Sequence, residues 1–306
     1  MTTSIALVIN TYQQAHFLPA SIESGLAQTV PFDEIIVVDD GSTDDPASVV
    51  AGYPGVRLVT QQNAGLAAAR NTGLKASSSS YIVFLDADDL LMPNAVRAGL
   101  DCHALSSCTG LVYGAHRRVG PQGEPLGGDV YSDIGPDAFR TFLTGNAIGM
   151  HATVIYDRKK LCDIGAFDVS LPRCEDYDVY FRMAAKHPVR SHPEVVALYR
   201  WHGQNMSADP SVMLKWVLRI NDRQRARTAG ALLLEDERLL GRRVWVRYYK
   251  DEIVSDLRRS WRSRTALRSV ARSMRFAKIA VLEVGRWLLH RLGRAYRGRA
   301  KSPSLN

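Results

Sequence analysis

The sequence predicts an α/β protein: a mainly parallel central sheet flanked by helices, with an α-helical C-terminal extension. Three observations predict it. Short apolar runs recur between residues 4 and 85, the pattern of strands covered on both faces. Helical stretches separate them, which is the rhythm of βαβ units. From Ser211 onward the pattern is helical, with few Gly and no Pro until Pro303.

Taken in order, Ser4–Ile9 is the first buried strand, and Pro19 opens an amphipathic helix reaching Gln28. Glu34–Asp39 and Val56–Thr60 are the second and third strands, Ala64–Lys75 a helix, and Tyr81–Leu85 the fourth strand. A helix follows from Pro93 to about Leu105. Leu111–Val119 reads as a strand ending at a Gly-Pro-Gln-Gly turn. Thr153–Tyr156 is a short strand, Asp176–Lys186 a helix, and Val195–Trp201 the last strand.

Composition excludes several classes. With 306 residues, 46% hydrophobic and 23% charged, the chain is too apolar for a disordered protein and long enough for a sizeable core. Its 4 cysteines are scattered and form no C-x-x-C pair, which argues against a disulfide scaffold and a structural zinc. The net charge of +8 divides unevenly: residues 1–205 hold 15 basic and 22 acidic side chains (−7), residues 206–306 hold 24 and 9 (+15). Two regions are therefore expected, 1–205 and 206–306, the second suited to an anionic partner. No basic n-region precedes an apolar segment at the N-terminus, and no uncharged run reaches the roughly 20 residues of a membrane span. Ile279–Leu289, the longest candidate, contains Glu283 and Arg286. The expectation is a cytoplasmic protein, soluble or peripheral on the inner face of the cell membrane.

Ligands of open α/β sheets bind outside the carboxyl ends of the strands. Unusual polar residues sit at those ends: Asn10, Thr11 and Tyr12; Asp39, Asp40, Gly41 and Ser42; Asn63 and Gly65, with Arg70 and Asn71 further along; and Asp86, Asp88 and Asp89. Three carboxylates within four residues repel one another unless a cation sits among them, and Mg²⁺ or Mn²⁺ prefers such oxygens. A solvated turn with Asp89 capping the next helix is the plainer reading. Asp39, ending a strand, is placed to accept from a ribose or base, while Ser42 or Asp44 suits a helix cap. The dinucleotide and P-loop glycine motifs are absent, which disfavours nicotinamide and P-loop ATP chemistry.

Several ordered motifs carry a resemblance. They are Ile9-Asn10-Thr11-Tyr12, Ile36–Asp44, Gln62–Leu66 with Ala69–Gly73, Phe84–Asp89, Gly165–Asp168, Glu175–Asp178 with Arg182, and Tyr199–His202. Over about residues 4–205 the chain resembles a family 2 glycosyltransferase with the glycosyltransferase-A fold. The resemblance implies that Thr11, Tyr12 and Asp39 hold the nucleoside of a sugar-nucleotide donor, with Asp40, Asn63 and Gly65 in the same donor-binding motifs. It sets Arg70 near the base and diphosphate, Asp86 toward the ribose and metal, and Asp88 as the D-x-D carboxylate on the cation. His202 matches a position facing the diphosphate or metal. Asp176, paired with Glu175, matches the general base. Family members often have Pro where Asn10 stands. On charge alone either Glu175 or Asp176 can be the base, and both also suit an acidic first helical turn.

The implied activity is inverting, metal-dependent transfer, using Mn²⁺ or Mg²⁺, from a nucleotide sugar to a hydroxyl of a glycan or lipid-linked acceptor in cell-envelope or polysaccharide synthesis. A catalytically silent nucleotide-sugar-binding protein of the same fold is the alternative. In the tail, Leu267, Val270, Met274, Ala277, Val281, Val284 and Leu288 recur at helical spacing among basic residues. That pattern suits an anionic membrane surface, with Trp261 and Trp287 as interfacial anchors, or packing on a protein partner. Nucleic acid is not expected, because no aromatic-rich binding module accompanies the charge.

Overall fold

The computed structural model describes residues 3–203, 205–262, 271–283 and 285–286. Two compact units emerge: Met1–Phe142 with Asn146–Asn205, and Leu143–Gly145 with Met206–Asn306. Up to residue 200 the elements are β1 (Ile5–Thr11), α1 (Leu18–Leu26), β2 (Glu34–Asp39), α2 (Pro46–Val50), β3 (Val56–Thr60), α3 (Leu66–Ala76), β4 (Tyr81–Asp86), β5 (Leu90–Leu91), α4 (Ala95–Ala104), β6 (Leu111–Val119), β7 (Pro125–Val130), α5 (Ala138–Thr144), β8 (Val154–Asp157), α6 (Arg158–Asp163), α7 (Glu175–Ala184) and β9 (Val189–Arg200).

The described strands form one sheet in the order β3-β2-β1-β4-β8-β6-β9-β5, with β7 on β6. β3, β2, β1 and β4 run parallel, as the charge-free apolar cores of β1, β2 and β4 predict. Beyond β4 the sheet becomes mixed. β8 lies antiparallel to both β4 and β6, β5 antiparallel to β9, and β6 parallel to β9. The expectation of a mainly parallel sheet therefore holds for the N-terminal half only. The β6–β7 pair shows why: its connection is a tight turn, which can join only antiparallel strands, whereas parallel neighbours need a crossover.

β1 lies between β2 and β4, so the chain reverses its direction of travel across the sheet at β1. That reversal opens a crevice at the carboxyl ends of β1 and β4. One face of the sheet packs Ile5, Leu7 and Ile9 with Val37 and Leu85 against Leu18 and Ile22 of α1 and Val96 of α4. On the other face α3 comes close enough that a Cβ on Gly73 would overlap the Val8 side chain, so this helix needs glycine there. In the strand register Val8 pairs with Phe84 and Asn10 with Asp86, which puts Asn10 and Asp86 two residues further along.

The second unit is helical in its described residues: α8 (Pro210–Arg223), α9 (Arg225–Thr228), α10 (Leu232–Arg262) and a helical stretch at 271–283. Asp209 caps α8, accepting from the Ser211 and Val212 amides at 3.0 and 3.3 Å, with Pro210 in the first turn. Leu214, Val217, Leu218 and Ile220 are its buried stripe. Inside the unit lie two almost fully buried arginines. Arg238 donates to both oxygens of Glu235 (2.8 and 2.6 Å) and to the side-chain Oδ1 of Asn221 (3.0 Å). Arg242 takes both oxygens of Glu283 (2.6 and 2.7 Å), the Leu218 carbonyl (2.9 Å) and Asp222 (2.9 Å). No described helix is long and apolar enough to cross a membrane. Of the expected tail face, Leu267, Val270, Val284 and Leu288, with Trp287, lie outside the described residues.

Candidate active site

The loops after β1 and β2 are tied together before any ligand is considered. The Gln13 amide donates to Ser42 Oγ (3.1 Å) and the Ala15 amide to Asp44 (2.8 Å). Neither Ser42 nor Asp44 caps the next helix, as the sequence suggested. Asp45 does so, in the left-handed region at φ 58°, accepting from the Ser48 amide at 3.2 Å.

Asp39 is buried at the end of β2 and receives the Ser42 amide at 2.8 Å on one oxygen. Asp40 is used up locally: its oxygens accept from the Ala64 and Gly65 amides and from Gln61, at 2.9, 2.9 and 2.7 Å. It fixes the loop carrying Asn63 and Gly65, both exposed. Thr11 is 2% exposed, Tyr12 48%. Asn10, at the end of β1, is buried, and neither its amide nitrogen nor its carbonyl oxygen has a partner among the described residues. Thr11 Oγ1 and Arg70 Nε are likewise buried and unpaired.

Arg70, expected near the base and diphosphate, is buried and ion-paired. The α3 position leaves it 2% exposed, with its guanidinium between Asp86 (3.1 Å) and Glu175 (2.5 Å) and over the Phe167 ring at 5.5 Å. Asn71, the next residue, exchanges two hydrogen bonds with the Phe167 backbone (2.7 and 3.0 Å). Arg182 adds a second clamp, reaching Asp178 (2.7 Å) and the carbonyls of Ile164 and Ala166 (2.7 and 2.6 Å). These contacts bind the start of α7 to the end of β4, although 89 residues separate Asp86 from Glu175 (175 − 86).

One guanidinium thus faces several carboxylates. Burial pushes the Glu175 carboxyl up to about 7 against the pull of Arg70, with Asp176 adding to the rise. Burial raises Asp176 and Asp86 as well, again opposed by Arg70. The two neighbours at the head of α7 differ in access: Glu175 is 4% exposed and ion-paired, whereas Asp176 is only half-buried and accepts the Tyr177 amide at 2.7 Å. Cys174, left-handed at φ 57° just before the helix, is buried and its thiol is pushed up, so nothing activates it as a thiolate.

On the other side of Asp86, the carboxylate of Asp88 meets His202 Nε2 at 2.9 Å and Gln14 Nε2 at 3.1 Å. His202 is held by stacking on Phe17 (centroids 5.2 Å apart) and by the hydrogen bond its backbone amide donates to Asn205 Oδ1 (2.9 Å). Arg200 lies over the same Phe17 ring at 4.9 Å. Asp89 does not cap the following helix: it is buried, accepts the Arg200 amide at 2.9 Å, and is held well above the usual carboxylate range by burial beside Asp88 and Asp86.

Among the described residues no three His, Cys, Asp or Glu side chains converge as a metal cage. Asp88 and His202 do converge, and both donor types suit Mn²⁺; a cation that keeps substrate oxygens needs only one or two protein ligands. The residues therefore fit a cation completed by a diphosphate. Asp86, also expected on the metal, receives Arg70 Nη2 at 3.1 and 3.4 Å on its two oxygens. Sequence reading missed Gln14, Phe17, Arg200 and Asn205 as parts of this site. Arg200 lay within a quoted motif; Gln14 and Phe17 carried no signal, since only the folded 12–17 loop brings them to Asp88 and His202.

The sheet, its switch at β1 and the carboxylates at its ends define a glycosyltransferase-A type fold. Residues 6–123 match the family model described as glycosyl transferase family 2, and this part of the chain belongs to that family. Chondroitin synthase from Escherichia coli is 29% identical over 211 residues, 66% of this chain but 30% of that protein. Hyaluronan synthase from Pasteurella multocida is 28% identical over 207 residues, 66% of this chain and 21% of that protein. The chain thus matches a third or less of these two relatives' length. Staphylococcus aureus TarS 1-349 in complex with UDP-GlcNAc has a TM-score of 0.63 at 17% identity, covering 78% of this chain and 71% of that one. The mannosyltransferase PcManGT from Pyrobaculum calidifontis, in complex with GDP-Man and Mn²⁺, has a TM-score of 0.61 at 16% identity, covering 93% and 88%.

Proposed function

We propose that the chain is an inverting, metal-dependent glycosyltransferase that moves a sugar from a nucleotide-sugar donor to a hydroxyl of a cell-envelope or polysaccharide glycan. Residues 1–205 form its nucleotide-sugar-binding catalytic domain and 206–306 its basic helical region. The observation that carries this reading is Arg70, whose buried ion pairs bring the carboxylates ending β4 and the acidic head of α7 to one place. The UDP-GlcNAc and GDP-Man complexes of structural neighbours, and the glycan synthases among the relatives, support the donor and acceptor classes.

In this reading Asp39 and the Thr11–Tyr12 turn receive the nucleoside, and the loop held by Asp40 closes one side of it. Asp88 and His202 hold the cation, which when bound supplies Lewis-acid stabilisation of the departing diphosphate. Asp176, the reachable carboxylate of its pair, takes the acceptor's proton as the hydroxyl attacks, and its raised affinity for protons improves it as a base. Glu175 and Arg70 are positioning residues that orient α7. Attack by a base-activated hydroxyl in a single displacement inverts the anomeric carbon. The +15 charge of 206–306 supports placement at an anionic membrane surface, on the inner face of the cell membrane.

Nucleoside diphosphate release, measured with UDP- and GDP-sugars, oligosaccharide acceptors and added Mn²⁺ or Mg²⁺, tests this. Turnover is expected to be lost on chelation and in Asp88→Ala. Donor binding with no turnover across the acceptor panel would instead establish a silent binding protein, and turnover that survives both chelation and Asp88→Ala removes the metal role.

A further inference from the structure

The second unit contains a cavity of about 390 Å³, separate from the carboxylate crevice. Its lining divides by chemistry. Leu218 on α8 and Ile279 and Leu282 in the 271–283 helix form an apolar wall, while Lys215, Arg219 and Arg286 supply cations. The acids in the wall, Asp222 and Glu283, are already engaged by Arg242, at 2.9 and 2.6 Å. Lys215 and Arg219 differ: each is exposed, and each lies against the Trp216 ring (5.9 and 5.2 Å) without a carboxylate partner among the described residues. Four residues apart on α8, they share one face and offer neighbouring donors to a single anion. The cavity therefore pairs uncompensated positive charge with hydrocarbon.

Beside it the apolar surface continues outward. Met274, Val281 and Leu282 are 71%, 71% and 58% exposed on the same helix, which also carries Arg272, Arg275 and Lys278. Large aliphatic side chains this exposed mark a surface that meets another apolar phase. A free phosphate would satisfy the cations and leave this face in water; an amphiphile satisfies both. The volume suits a small polar head with a few methylenes.

We propose that this cavity binds the phosphate of an anionic phospholipid, with Lys215 and Arg219 on the phosphate and the first methylenes of the chain against Leu218, Ile279 and Leu282. The proposal deepens, and rests on, the placement of the basic region at a membrane surface. It adds a discrete lipid site to what charge alone provides: a diffuse basic patch attracts any anionic surface, whereas a pocket ties binding to two side chains on α8 and one leucine.

Co-sedimentation of the full chain with phosphatidylcholine vesicles, with and without phosphatidylglycerol, tests it. Binding is expected only with the anionic lipid. Lys215→Ala/Arg219→Ala should weaken it on the order of 30-fold, and Leu282→Ser should weaken it on the order of tenfold. Millimolar inorganic phosphate should compete poorly, and diphosphate release with a soluble acceptor should be unchanged in these surface variants. Anionic-vesicle binding that the variants leave intact overturns the pocket and keeps the membrane reading. No binding to either vesicle overturns both. Full competition by inorganic phosphate assigns the cations to a free anion and overturns the lipid.

Discussion

Each unit buries arginine among carboxylates, and the two networks are put to different use. In the helical unit, Arg238 and Arg242 meet Glu235, Asn221, Glu283, Asp222 and a backbone carbonyl, and no nitrogen or oxygen of these groups is buried without a partner among the described residues. Arg70 in the sheet unit keeps an unpaired buried Nε, binds the Asp86 whose strand neighbour Asn10 also has an unpaired buried amide, and faces carboxylates that burial makes reluctant to ionise. A saturated network adds order to a fold. An unsaturated one, with excess negative charge and open polar valence, is poised to receive a ligand or a proton. The comparison teaches that leftover valence, rather than burial or pairing, separates the two roles.

The largest expected effect comes from the carboxylate that is left reachable. Asp176→Asn keeps the shape and the Tyr177 amide contact but removes the proton acceptor. Turnover should fall by about 10²–10⁴ while donor binding is retained, because general-base catalysis contributes on that order. Single-turnover rates with calorimetric donor titration would check this. Full turnover in the variant would reassign the base, with Glu175 next in line.

Next in size is the saturated side. Arg242→Met leaves Glu283, 9% exposed, without its main partner, and removing one half of a buried pair costs roughly 3–5 kcal/mol. Trp216 on α8 and Trp245 on α10 belong to this unit, so fluorescence-detected urea unfolding reads it. A drop in stability is expected with no shift in the pH dependence of turnover. A pH shift from this variant would mean that the helical network also serves the reaction.

How much of this was legible in the sequence follows from what each feature depends on. β2 and β6 stand where the apolar runs put them, because burial on both faces writes itself into composition; β3 stands there too, although it carries Arg57 and is only partly covered. β7 (Pro125–Val130) was not seen: it is exposed throughout, contains two glycines and has no alternation to read. β9 begins six residues before the expected Val195, since Pro193 argues against a strand and the sheet absorbs it with a register shift against β6. β5 has two residues and owes its existence to its partner β9. In the site, the carboxylate types and their places at strand ends were readable, and the nearness of His202 to Asp88 was implied by resemblance. The burial of Arg70 was not readable, nor was the division of labour within Glu175–Asp176, because both follow from the long-range ion pair that joins α3 to α7.

That division of labour yields the smallest and most discriminating effect. Glu175→Gln keeps an oxygen for Arg70 to donate to and removes one negative charge. Arg70 then acts on fewer carboxylates, its pull on Asp176 grows, and the acidic limb of the turnover–pH profile should move down. Stability gives an independent readout. The native state raises Glu175 from 4.5 to about 7, so it holds this proton more tightly than the unfolded chain does. The resulting stabilisation is fully present below about pH 4.5 and is lost as pH rises through about 7. Glutamine does not titrate, so the variant's unfolding midpoint should vary less across that window. Arg242→Met should leave this slope unchanged. If Glu175→Gln moves neither the acidic limb nor the slope, Glu175 is as structural as Glu283, and the two arginine networks are of one kind.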